Sequence, residues 1–164
     1  MISQRAAAST VDQPRWNPGP ESAPGQPTIL LVEDEDTLRN LMQLVLRNAG
    51  YHVLAAGCGD EALALSERFA ARIHLLVSDL VLPESDGQKL ARRLVEKRPD
   101  LKVLFISGHP LDFIAIEPPF QFLQKPFAPT RLLETVKKIL TNCPSSMVNG
   151  PLPVRTDKNV HSTA

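Results

Sequence analysis

The sequence has no excess of charge of either sign, because 18 Lys and Arg residues balance 18 Asp and Glu residues. Such a chain has no overall field that would attract nucleic acid or an anionic membrane, so we expect neither as a partner. Cysteine is scarce as well. Cys58 and Cys143 show no metal-ligand or redox spacing, and unpaired cysteines are typical of a reducing cytosol.

Long apolar runs are also missing from the sequence. No stretch approaches the roughly 20 apolar residues that span a bilayer. The N-terminus has no apolar segment of the kind found in signal peptides. We therefore expect a soluble, cytoplasmic protein, and 164 residues suit one domain with flexible tails.

The two ends of the chain differ in composition from its middle. Residues 1–27 are rich in Pro, Ala, Ser and Gln, and such a segment buries too little apolar surface to offset its ordering entropy. Residues 142–164 are similarly rich in Pro, Ser and Asn. We expect a disordered N-terminal tail over 1–27, one folded domain over 28–141 and a flexible C-terminal tail over 142–164.

The middle of the chain alternates between short apolar runs and helical periodicity. The apolar runs predict strands at 28–32, 52–56, 75–79, 101–106 and 120–124. The clearest helix follows the first strand, with Asp36 as its expected N-cap and Gly50 as its end. Repeated βα units predict an α/β fold with a doubly wound parallel sheet.

The connection between the fourth and fifth strands is unusually short. It occupies about residues 109–121 and contains Pro110, Pro118 and Pro119. Because a crossover with its helix usually needs a dozen residues or more, we expect a shortened fourth helix.

Polar residues follow four of the five predicted strands. Glu33 and Asp34 follow the first, Asp79 ends the third, Ser107 follows the fourth and Lys125 follows the fifth. In a parallel sheet these ends share one edge, where open α/β sheets bind ligands. Clustered carboxylates resist ionisation unless a cation lies among them, and a few oxygen ligands suit Mg²⁺.

The same cluster contains the groups that phosphoryl transfer needs. A carboxylate can act as the nucleophile and form an aspartyl phosphate, while a lysine and a metal ion neutralise phosphoryl charge. Asp79 ends a buried strand at this edge, where a carboxylate can be a nucleophile, a metal ligand or a solvated loop residue. The expected cation site and the expected nearness of Ser107 and Lys125 favour a functional role, with Asp79 as the candidate nucleophile.

The spaced motifs resemble those of the receiver domain of two-component response regulators. The matching pieces are Leu31-Val32-Glu33-Asp34, Asp79-Leu80-Val81-Leu82-Pro83 with Asp86-Gly87, Ser107-Gly108 and Lys125-Pro126-Phe127. They occur in the family's order and spacing over residues 28–141. The resemblance implies a flavodoxin-like, five-stranded sheet of order 2-1-3-4-5.

The resemblance also implies roles for individual residues. Asp79 is expected to be phosphorylated by a sensor histidine kinase or histidine phosphotransfer protein. Mg²⁺ would be bound by Glu33, Asp34, Asp79 and the backbone carbonyl of Val81, while Ser107 and Lys125 would bind the phosphoryl group. Phe122 matches an aromatic switch position, and Lys125-Pro126 matches a cis peptide bond.

With one expected domain and flexible tails, we expect a stand-alone signalling protein rather than an ordinary enzyme. Its own catalysis would cover aspartyl phosphorylation and dephosphorylation, and an unidentified downstream protein would bind it. Two alternatives stay open. One is a receiver-like interaction module that acts without phosphorylation. The other is a Mg²⁺-dependent phosphatase of the haloacid dehalogenase type, whose nucleophile would be Asp34 rather than Asp79.

Overall fold

Five strands form a parallel sheet in the computed structural model, which describes residues 25–82, 85–108 and 119–141. The elements in chain order are β1 (Thr28–Val32), α1 (Asp36–Asn48), β2 (His52–Ala56), α2 (Gly59–Arg68), β3 (Leu75–Asp79), β4 (Val81–Leu82), β5 (Ser85–Asp86), α3 (Gly87–Lys97), β6 (Lys102–Ser107), β7 (Gln121–Gln124) and α4 (Pro129–Thr141). The sheet has the order β2-β1-β3-β6-β7. Counted along this sheet alone, that is the predicted order 2-1-3-4-5, so the flavodoxin-like fold class is confirmed.

Helices cover both faces of the sheet, and this explains the continuous apolar runs. Every residue of β1 and of β3 is buried. Successive side chains of a strand point to opposite faces of the sheet, so alternate residues of β1 and β3 belong to two different hydrophobic clusters. Leu30 and Leu76 belong to the cluster that includes residues of α2 and α3. Leu31 and Val77 belong to the cluster that includes residues of α1 and α4.

The start of α1 differs from the prediction. The N-cap is Glu35, whose side chain makes no capping hydrogen bond, and Asp36 is the first helical residue. The expectation that Asp36 caps the helix is wrong, because its carboxylate instead pairs with Arg39 three residues later. The end of the helix agrees with the prediction, since Gly50 follows it with a φ of 91°.

Two short antiparallel strands, β4 and β5, lie between β3 and α3. β4 and β5 pair antiparallel, with Val81 opposite Asp86. The side chain of Asp86 then accepts the Gln88 N–H at 2.9 Å and caps α3. The two strands therefore lie between the end of β3 and the first turn of the next helix.

Three predictions concern residues outside the described ranges. They are the shortened fourth helix and the two tails, which correspond to residues 109–118, 1–24 and 142–164. Among the helices of the described ranges, none has the length and apolar character needed to cross a membrane.

Candidate functional site

Three carboxylates meet at the carboxyl edge of the sheet. Val32 pairs with Ser78 in register, so the next residues lie side by side: Glu33, directly after β1, and Asp79, the last residue of β3. Glu33, Asp34 and Asp79 each offer a carboxylate oxygen, and these oxygens lie within 4.8 Å of one another. Glu33 is 2% exposed and Asp79 is 9% exposed, whereas Asp34 is exposed to solvent. The predicted convergence of the three acidic residues is present.

Lys125 inserts its ammonium group between two of these carboxylates. Its Nζ donates to Asp79 Oδ2 at 2.6 Å and to Glu33 Oε2 at 2.9 Å. The backbone fixes this position, because the Lys125 N–H donates to the Ser107 carbonyl at 2.8 Å. The Lys125–Pro126 peptide bond is cis, as the resemblance implied.

Burial and charged neighbours shift the pKa values of Glu33 and Lys125. Burial raises the pKa of Glu33, and the charges of Asp79 and Asp34 act in the same direction; Lys125 offsets these effects only in part. Burial alone would lower the pKa of Lys125. Its hydrogen bonds and ion pairs with Asp79 and Glu33 outweigh burial and raise that pKa. One ammonium group does not balance the charge of three carboxylates.

The donor set fits a small divalent cation. Carboxylate oxygens are hard ligands, and Mg²⁺ binds proteins through one or two of them while it keeps several waters. Glu33, Asp34 and Asp79 supply such oxygens within a few ångströms of one another, and the raised pKa of Glu33 indicates that added positive charge would be favourable there. These residues are therefore suited to hold Mg²⁺.

The Asp79 carboxylate is oriented by a donor on each oxygen. Oδ2 accepts from Lys125, and Oδ1 accepts the backbone N–H of Val81 at 2.9 Å. Val81 lies beside the cluster and is 56% exposed. The loop itself is braced by neighbouring strands and helices, since the Leu80 N–H donates to the Ile106 carbonyl at 2.9 Å and the Gly87 N–H to the Leu80 carbonyl at 3.1 Å.

Ser107 is the last residue of β6 and lies at the same edge. Ile106 pairs with Asp79 in register, so Ser107 comes one position beyond that pair. Its side chain is buried, with 1% exposure for the residue. Phe122 is partly buried and packs against the cluster that contains Phe105. The five predicted polar residues therefore share one edge, whereas the switch role of Phe122 stays a prediction.

The sequence reasoning missed Arg39, which touches the same loop. Its Nη1 donates to the Glu33 carbonyl at 2.7 Å and to the Asp34 carbonyl at 3.3 Å. The sequence feature that could have indicated this contact is an arginine in the first turns of the helix that follows the acidic pair. That signal is weak, because arginine on a helix surface usually faces solvent.

Comparison with known proteins shows similarity to receiver domains. The family model for the response regulator receiver domain matches residues 29–137. The chain is 42% identical over 120 residues to the sensor kinase CckA of Brucella abortus strain 2308, covering 71% of the chain and 13% of that kinase. It is 38% identical to the response regulator receiver protein CpdR of the same strain, covering 68% of the chain and 95% of CpdR.

A solved structure is similar as well. The crystal structure of the receiver domain from the hybrid histidine kinase CckA aligns with a TM-score of 0.62 and 40% sequence identity. The alignment covers 69% of the chain and 98% of that domain. The chain thus matches a whole receiver domain but spans only a small part of the full-length sensor kinase.

Proposed function

The chain belongs to the response regulator receiver domain family, and from this membership we propose that Asp79 accepts a phosphoryl group from a phosphohistidine. The donor would be a sensor histidine kinase or a histidine phosphotransfer protein, and a relative named as a sensor kinase supports this class of partner. The observation that carries the proposal is that the Asp79 carboxylate lies within 4.8 Å of carboxylate oxygens of Glu33 and Asp34 and accepts a hydrogen bond from the Lys125 ammonium at 2.6 Å.

In the proposed reaction, a carboxylate oxygen of Asp79 forms a bond to phosphorus. The phosphorus–nitrogen bond of the donor breaks, and the leaving nitrogen keeps the bonding electron pair. The donor ring is protonated on its other nitrogen, so it leaves as a neutral imidazole. The Val81 N–H holds one Asp79 oxygen and so limits the orientations that the carboxylate samples. This restriction is useful because phosphoryl transfer depends mainly on positioning and charge neutralisation.

Lys125 and Ser107 are proposed to bind the transferred group. The Lys125 ammonium already contacts Asp79, so it lies close enough to pair with an oxygen of a phosphoryl group attached there. Ser107, at the end of the adjacent strand, offers a hydroxyl donor on the same edge. Both groups would stabilise negative charge on the phosphoryl oxygens.

Glu33, Asp34 and Asp79 are proposed to hold Mg²⁺ with the Val81 carbonyl. Bound Mg²⁺ supplies the positive charge that offsets the carboxylates and the phosphoryl oxygens. The carboxylates that bind it also remain ionised more readily in its presence. We further propose that residues 28–141 form the receiver domain and that a downstream protein responds to its phosphorylation.

The test is labelling with acetyl phosphate and Mg²⁺, followed by intact mass measurement. We expect one added phosphoryl group on the wild type and none on Asp79→Asn, because the amide lacks the nucleophilic carboxylate. Asp60→Asn is the matched control, since Asp60 is exposed in the first turn of α2, outside the carboxylate cluster, and should be labelled like the wild type. Equal labelling of Asp79→Asn would overturn the proposal. So would an unlabelled wild type under conditions that label a known receiver.

A further inference from the structure

Arg39 connects the helix α1 to the backbone of the acidic pair. Its Nη1 donates to the carbonyls of Glu33 and Asp34, at 2.7 and 3.3 Å, and its Nη2 donates to the Asp36 carboxylate. The Arg39 side chain is 19% exposed, and its bond to the Glu33 carbonyl is partly buried, whereas its bonds to Asp34 and Asp36 are exposed. The guanidinium group therefore binds three residues of the short segment between the end of β1 and the first turn of α1.

A second loop packs against the same guanidinium group. A Cβ placed on Gly57 would lie 3.2 Å from Arg39 Nη1 and 3.6 Å from Arg39 Cζ. The Gly57 N–H donates to Glu61 Oε2 at 2.7 Å, which fixes this loop to α2. The Glu33 N–H donates to the Ala56 carbonyl at 3.2 Å. Arg39 thus lies between the loop after β1 and the loop after β2, and glycine at position 57 leaves room for it.

We propose that Arg39 is a positioning residue that preorganises Glu33 and Asp34 for Mg²⁺, an inference that rests on the proposed function. The carboxylates of Glu33, Asp34 and Asp79 repel one another, so the loop that carries two of them needs an independent support. Arg39 provides it through the backbone carbonyls and leaves the Glu33 and Asp34 carboxylate oxygens available to a cation.

The expected effect is on Mg²⁺ affinity rather than on the transfer step. Without Arg39 the loop must become ordered when the cation binds, and this ordering opposes binding. Ordering about one residue's backbone corresponds to roughly a tenfold loss of affinity. Once Mg²⁺ is saturating, Asp79 and Lys125 are in place, so labelling should proceed at nearly the wild-type rate.

The experiment compares Arg39→Ala, Arg39→Lys and Gly57→Ala with the wild type, with Arg47→Ala as a matched control. Arg47 lies on the same helix and donates to the Val53 carbonyl at 3.3 Å, away from the acidic pair. Calorimetric titration with Mg²⁺ alone measures affinity, and labelling by acetyl phosphate across Mg²⁺ concentrations gives the half-saturating concentration and the maximal rate. Circular dichroism checks folding.

We expect Arg39→Ala to raise the Mg²⁺ dissociation constant and the half-saturating concentration about tenfold, with the maximal rate within about twofold of wild type. Arg39→Lys should also weaken binding, because lysine keeps the charge but lacks the planar fork. Gly57→Ala should weaken it by a smaller factor, since the added methyl group displaces the guanidinium slightly. Arg47→Ala should bind like the wild type.

Other results would overturn either the inference about Arg39 or the proposed function. Wild-type affinity in a folded Arg39→Ala protein would overturn the inference and leave the proposed function intact. A lower maximal rate with unchanged affinity would overturn it too. If Arg39→Ala fails to fold, wild-type affinity in both Arg39→Lys and Gly57→Ala would overturn the inference. A wild type that binds no Mg²⁺ would instead overturn the proposed function, and the inference with it.

Discussion

Glu33 and Lys125 illustrate how burial and charge compete at single residues of the site. Burial raises the pKa of Glu33 despite the adjacent ammonium group, whereas the carboxylate partners of Lys125 raise its pKa despite burial. Both directions follow from an excess of carboxylate over ammonium in a poorly solvated place. The folded protein therefore carries an electrostatic cost here that a bound cation would reduce.

Gly87 occupies a place where any side chain would collide with the Asp79 loop. A Cβ there would lie 2.4 Å from the Asp79 carbonyl oxygen and 3.1 Å from the Cα and carbonyl oxygen of Leu80. Since backbone atoms cannot easily yield, we expect Gly87→Ala to lower the free energy of unfolding by about 1–3 kcal/mol. It should also slow labelling at Asp79 roughly tenfold, because a shift of about 1 Å can disrupt a reactive geometry.

Urea unfolding and acetyl phosphate labelling measure these two effects. Gly108→Ala is the control for stability, because among the described residues, apart from its chain neighbours, no atom lies within 4 Å of the added Cβ. We expect it to change the free energy of unfolding by less than about 0.5 kcal/mol. Gly87→Ala with the stability and labelling rate of the wild type would contradict the packing described here.

At the scale of elements, the end of α3 supplies the cap for the end of α2. Arg98 donates to the carbonyls of Ser66, Phe69 and Ala71 at 2.7, 2.6 and 2.9 Å, and to Ser66 Oγ at 3.1 Å. The last carbonyls of a helix lack partners within the helix, so a guanidinium group there satisfies them. These contacts lie at the amino edge of the sheet, opposite the carboxylate cluster.

We expect Arg98→Met to lower the free energy of unfolding by about 2 kcal/mol, because hydrogen bonds to a charged group are removed while the apolar stem is kept. Mg²⁺ affinity should not change, since the site is at the other edge. Urea unfolding with calorimetric titration measures both. Lys97→Met, which removes only an exposed ion pair with Glu67, should leave the urea midpoint almost unchanged. Equal effects of the two substitutions would contradict the capping role.

The elements also show what sequence patterns can predict. The strands and α1 followed from apolar runs and helical periodicity because burial sets both patterns. The predicted N-cap at Asp36 was wrong because Arg39 competes for its carboxylate, and that contact is set by side-chain geometry within the folded turn. The packing of Arg39 on Gly57 joins two separate loops, so no local pattern encodes it.

At the scale of the whole molecule, His74 joins the entry of β1 to that of β3. Its Nδ1 accepts the backbone N–H of Thr28 at 3.0 Å, which requires an unprotonated nitrogen. Burial lowers the pKa of His74, and the charges of Arg72 and Lys102 lower it further. The unfolded chain therefore gains a proton at His74 at a higher pH than the folded protein does.

The sign of the resulting pH dependence follows from this difference. Above about pH 6.5 His74 is neutral in both states, and its bond to Thr28 contributes fully. As the pH falls below that value, the unfolded state is favoured and stability decreases. We expect the urea midpoint to fall between about pH 7 and pH 5.5, and to fall less in His74→Asn, whose amide oxygen can accept the same bond without titrating. Equal slopes would contradict this role.

The carboxylates and the lysine that were predicted to converge lie together because the topology of the whole molecule brings strand ends together. Glu33, Asp79 and Lys125 are far apart in sequence, yet a parallel sheet of order 2-1-3-4-5 places them on one edge. The strand order itself was taken from the family resemblance. Strands that are buried on both faces are all continuously apolar, so their sequences do not show which strands are adjacent in the sheet. The contacts of Lys125 with two carboxylates required the structure.

The central claim, that Asp79 is the phosphoryl acceptor, is tested most directly by locating the modification. After labelling with acetyl phosphate and Mg²⁺, borohydride reduces an aspartyl phosphate to homoserine, and tandem mass spectrometry of peptides identifies its position. We predict homoserine at position 79 in the wild type, and none when either acetyl phosphate or Mg²⁺ is omitted. Homoserine at position 34 instead, as a phosphatase with Asp34 as its nucleophile would give, would contradict the account.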